Sequence, residues 1–100
     1  VMLTGININE RVEFISKYDK NEPKTVFTMR PLTGLEMLKF SSGTNEDLVK
    51  MVEASIVSVK DFEGLKEVRD IINALPMLVL GELVQQVNKL NKVTEDDAKN

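Results

Sequence analysis

Apolar positions recur at helical spacing most clearly towards the C-terminus. There Leu80, Leu83, Val84, Val87 and Leu90 form one stripe, and Glu82, Gln85, Gln86, Asn88, Lys89 and Lys92 take the other face. Such a stripe must pack on something, either the rest of the chain or another protein. Leu78 falls about opposite the Leu80 and Val84 line on the 3.6-residue repeat, so it is either covered by another element or an exposed docking point. Pro76 suits the first turn of this last helix. The same proline stops a shorter helix before it, whose stripe is Val68, Ile71, Ile72 and Leu75.

Two more helices are predicted upstream. Thr33-Gly34-Leu35-Glu36 fits a capping box, with Leu32 and Met37 where a hydrophobic staple falls. This predicts a helix over Gly34 to Phe40, closed by Ser41, Ser42 and a left-handed Gly43. Thr44, Asn45, Glu46 and Asp47 repeat the start signal. A helix from Glu46 to about Val57 follows, with Leu48, Val52 and Ile56 on one line and Val49 and Met51 beside it.

Closer to the N-terminus the period shortens. Arg11 to Tyr18 is rich in strand formers (Val12, Phe14, Ile15), and Thr25 to Arg30 alternates, with Val26 and Thr28 facing away from Phe27 and Met29. Asp19, Lys20, Asn21, Glu22 and Pro23 form a polar turn cluster between them. The result is a β-hairpin, which needs a helix or another strand to cover its apolar face. Ile56 to Phe62 fits either the end of a helix or a short strand. The expected fold is therefore α+β and mainly helical: an N-terminal β-hairpin followed by about four helices. It forms a single domain over residues 1–100, with a loose lead-in at 1–10 and a flexible acidic tail at 93–100. Thr94-Glu95-Asp96-Asp97 in that tail has the form of a further helix start.

Composition narrows the chemistry. The 100 residues are 42% hydrophobic, which excludes wholesale disorder, and contain no long uncharged apolar run of the kind that spans a membrane. Val1 to Ile8 lacks a basic start followed by a sustained apolar segment, so a cytoplasmic protein is expected. Cysteine and histidine are both absent, which removes disulfides, thiolate chemistry, Cys/His zinc sites and the Ser-His-Asp arrangement. Net charge is −3, without the basic cluster that duplex binding requires. No nucleic acid, cofactor or metal is expected.

The local acids Asp61, Glu63, Glu67 and Asp70 match no calcium-loop spacing and read as solvated helix-start residues. Ser41, Ser42 and Ser58 have no histidine base, and Gly34 and Gly64 are too isolated to cradle a phosphate. Core packing accounts for most of the aromatics Phe14, Tyr18, Phe27, Phe40 and Phe62. A non-enzymatic binding role remains. Met77, Leu78 and Val79 widen the apolar surface of the last helix beyond one stripe, and with Leu80 and Leu83 they form the candidate partner-binding residues. Met29, Met37, Met51 and Met77 would suit a surface that accepts a flexible partner.

Three segments carry a resemblance to a known family. Lys24-Thr25-Val26-Phe27 leading to Arg30-Pro31-Leu32-Thr33, the stretch IVSVKDFEG from Ile56 to Gly64, and Leu75-Pro76 through the last helix to Thr94-Glu95-Asp96-Asp97-Ala98-Lys99-Asn100 together resemble the small tail assembly chaperones of long-tailed bacteriophages. The resemblance implies a small, mainly helical module that works in the bacterial host cytoplasm. Such a module keeps the tape-measure protein soluble, recruits tail-tube protein around it, and leaves before the particle is finished. The resemblance also leaves self-association open, and in such phages a ribosomal frameshift often adds a C-terminal extension to part of the chaperone population. The alternative is a structural tail-completion or connector component retained in the virion, using the hairpin edge for strand addition. A weaker third reading is a carboxylate-based enzyme or a regulatory nucleic-acid binder.

Overall fold

The alternation from Thr25 to Arg30 becomes the middle strand of a three-stranded antiparallel sheet of order β1-β2-β3. The computed structural model describes residues 6–7, 9–62, 64 and 67–91. Its elements run β1 (Val12–Phe14), β2 (Val26–Met29), α1 (Gly34–Lys39), α2 (Asn45–Ser55), β3 (Ile56–Lys60), α3 (Val68–Ala74) and α4 (Met77–Asn91). The fold is α+β and mainly helical, with the predicted hairpin and four helices. The lead-in at 1–5 and 8 and the acidic tail lie outside the described residues.

Of the two alternatives for Ile56 to Phe62 the short strand forms, adding a third strand to the hairpin, and one boundary is corrected: the second helix stops at Ser55 rather than near Val57. Register explains why. Phe14 and Val59 both sit opposite Phe27, whereas Met29 lies opposite Ile56 across a bulge that leaves Val57 without a partner. The extra residue resets the two-residue alternation, so Ile56 and Val59 both face the core although they are an odd number of positions apart. Past the bulge the pairing continues through a side chain. The Arg30 N–H donates to the Ser55 carbonyl (2.8 Å), and the enclosed Ser55 hydroxyl donates back to the Arg30 carbonyl (2.7 Å).

The capping box of α1 forms as expected. The Glu36 N–H donates to Thr33 Oγ1 (3.2 Å), and the Thr33 N–H donates to Glu36 Oε1 (3.0 Å). The Arg30 guanidinium grips the same carboxylate with two bonds, of 3.1 and 2.8 Å. Thr44 caps α2 through its hydroxyl, and Gly43 just before it adopts φ +79, a left-handed conformation that glycine reaches without steric cost. Pro76 precedes α4 instead of lying in its first turn, and its carbonyl accepts the Leu80 N–H (3.0 Å).

One core joins these elements. Phe27 and Met29 from the sheet meet Leu32, Met51 and Val52 of α2, Ile56, Ile71 and Ile72 of α3, and Leu83 and Val87 of α4. Leu80, Val84 and Leu90 pack partly buried at its margin, so the stripe of the last helix is a core face. Arg69 of α3 clasps Glu53 of α2 in a two-bond ion pair, each bond 2.9 Å long. Among the described residues no helix is long and apolar enough to cross a membrane.

Candidate functional site

The loop between β1 and β2 is held open by its own hydrogen bonds. Asp19 Oδ1 accepts the Asn21 N–H (2.9 Å), Asp19 Oδ2 accepts the Thr25 N–H (2.8 Å), and Lys24 Nζ donates to the Asp19 carbonyl (2.9 Å). These backbone donors, Asn21 ahead of Thr25, lower the Asp19 pKa from its ordinary value. At the start of the loop, the buried Ser16 hydroxyl donates to Glu82 Oε1 on α4 (2.5 Å) and accepts the Tyr18 N–H (3.1 Å). At its end, the Thr25 hydroxyl donates to the Asp61 carbonyl beyond β3 (2.8 Å). The loop is thus fixed against both α4 and the β3 terminus.

Between these fixed walls lies an open cleft of 280 Å³. Phe27, which is almost wholly enclosed, forms its floor, and Tyr18, Phe62, Leu75, Leu78 and Val79 form its apolar sides. A second, more polar hollow of 590 Å³ continues from it, lined by Glu22, Pro23 and Asp61; Asn21, Thr25 and Phe62 border both. The apolar part is at the small end for a pocket that encloses a cofactor, where volumes begin near about 300 Å³. It suits a few inserted side chains. The site offers apolar contact, hydrogen-bond acceptors and carboxylates.

The five residues expected to share a partner-facing surface are divided by the fold. Leu78 is 60% exposed and lines the cleft with the half-buried Val79. Met77 is 83% exposed at the helix start but does not line the cleft. Leu80 is half-buried against the core. Leu83 is fully enclosed, which corrects its placement among surface residues: five residues beyond Leu78 it lies about 140° round the helix, on the side that faces the centre of the protein.

Sequence reasoning missed part of this site. Tyr18 stands apart from the aromatics that pack in the core, 42% exposed on the cleft wall, and Phe62 and Leu75 join it from segments with no shared motif. A second apolar surface was missed too. Leu35 and Leu38 stand 74% and 70% exposed on α1, three residues apart and so on one helix face. Their signal was present as two leucines on the side away from Met37 and Phe40, which pack on the core. Glu63, one of the four clustered acids, lies outside the described residues, and among those described no three acidic side chains converge as metal ligands. No family model matches the chain, and comparison with curated proteins and with solved structures found nothing similar.

Proposed function

We propose that this chain is a non-catalytic tail assembly chaperone of a phage or prophage. In this reading it acts in the host cytoplasm, holds the tape-measure protein soluble by reversible apolar contacts, and helps recruit tail-tube protein. One observation carries the reading of a binding module. The first turns of α4 present Leu78 and Val79 to an open apolar cleft, while Leu83 and Val87 of the same helix anchor it in the core. A helix fixed on one side and open on the other offers apolar surface without unfolding, and an amphipathic client helix docks on such a surface by its apolar face. The phage assignment rests on the resemblance of the three segments described above.

Co-expression tests it. The protein should keep an otherwise insoluble tape-measure protein in solution, and Leu78→Asp should weaken that rescue while the variant stays folded. Unchanged client solubility with and without the protein would remove the proposal. The alternative of a retained virion component has one feature in its favour: β1 is an edge strand whose outer side pairs with no strand among the described residues. Mass spectrometry of purified virions separates the two, because a chaperone is missing from the particle and a component is present.

A further inference from the structure

The cleft is apolar at one end and anionic at the other. Leu78, Val79 and Leu75 lie in the apolar part, and Glu22 and Asp61 in the polar part that continues past Phe62. The lysine at that end, Lys24, is already engaged: its ammonium lies 2.9 Å from the Asp19 carbonyl and 3.7 Å from Glu22 Oε1. Among the described residues the Asp61 carboxylate has no ion pair or hydrogen bond, although its own carbonyl is held by Thr25. Among the described residues the lining of the polar end therefore carries two carboxylates, Glu22 and Asp61, and no cation, and the Asp61 carboxylate is free.

Resting on the reading of the cleft as a client site, we infer that its occupant is a segment of another protein whose apolar side chains are flanked by lysine or arginine. The apolar side chains lie against Leu78 and Val79, and the neighbouring cation reaches Asp61 and Glu22. Charge complementarity of this kind fixes the direction and register of a client more than its raw affinity. The same electrostatics disfavour the chain's own C-terminal tail as occupant. Residues 93–100 carry Glu95, Asp96 and Asp97 against Lys99, and they contain no leucine, isoleucine, methionine or aromatic residue.

The test uses two labelled synthetic amphipathic peptides with one leucine face, flanked either by lysine or by glutamate, titrated against the full chain by fluorescence anisotropy. The lysine peptide should bind about tenfold more tightly at low salt, with the gap narrowing as salt screens the exposed carboxylates. Asp61→Asn combined with Glu22→Gln should remove most of that gap and leave the circular dichroism spectrum unchanged. Asparagine tolerates the left-handed backbone at position 61, where φ is +61, so the substitution leaves the turn intact. Equal binding of both peptides, abolished by Leu78→Asp, would overturn the charge inference and leave the cleft as a client site. Binding of neither peptide would remove both. Self-association lost in Leu78→Asp would assign the cleft to a second copy. Tighter binding of both peptides alike after Leu3→Asp would assign it to residues 1–8, and either result overturns the inference.

Discussion

The side chain of Asn91 completes the backbone of Leu32. The Leu32 N–H donates to Asn91 Oδ1 (3.1 Å), and the Asn91 amide donates to the Leu32 carbonyl. Leu32 is fully enclosed between β2 and α1, where neither group has water to replace this partner. Asn91→Ala should therefore cost about 1–3 kcal/mol, the range for leaving buried polar groups unpaired. Asn91→Asp keeps an acceptor and loses the donor, so it should also destabilise. Urea denaturation followed by circular dichroism measures both.

Leu83 and Leu78 are neighbours on α4 with opposite fates. Leu83→Ala removes a fully enclosed side chain and should cost about 2–5 kcal/mol. Leu78→Ala acts on a side chain that is 60% exposed and should stay within about 0.5 kcal/mol. Similar denaturation midpoints for the two variants would contradict the helix orientation described here.

Glu36 gives the protein an acid-sensitive joint. The Arg30 guanidinium first, and the Thr33 N–H second, lower its pKa from 4.5 to about 2. Because the folded value lies below the unfolded one, the stabilisation is complete above about pH 4.5 and is lost as pH falls through about 2. Solvent reaches the outer side of the pair, so we expect a contribution of about 1–2 kcal/mol. Glu36→Gln should be less stable than the parent at pH 7 and should lose less stability between pH 5 and 2, as read from thermal midpoints. Glu53, beside Arg69, also has a lowered pKa, so the variant should flatten only part of the acid limb.

Ser16 sets the cleft wall. Ser16→Ala removes the donor to Glu82 Oε1 and the acceptor for the Tyr18 N–H, and it should cost about 1 kcal/mol. Amide hydrogen exchange at Tyr18 should speed up while exchange in α2 stays close to the parent. Unchanged exchange at Tyr18 would mean that the loop is held by other contacts.

What the sequence revealed depended on the range of the interactions involved. The Thr33 capping box, the Thr44 cap, left-handed Gly43 and the Phe27 and Met29 alternation are local, and each formed as read. Strand β3 was ambiguous because its bulge breaks the two-residue period and its partner β2 lies about thirty positions upstream. The 3.6-residue repeat put Leu83 on the stripe and Leu78 about opposite it, but only the finished fold shows that Leu78 stays exposed while Leu83 is enclosed. The cleft left no local trace, since Tyr18, Phe62 and Leu75 meet only in the finished fold.

The bond from Ser16 to Glu82 joins residues 66 positions apart, and that from Leu32 to Asn91 spans 59. On the ribosome, Ser16 and Leu32 emerge long before Glu82 and Asn91, so neither contact forms until α4 clears the exit tunnel. Contacts this distant must pay their loop-closure entropy before they give anything back. The long-range contacts of this fold therefore form in a late step set by the arrival of α4.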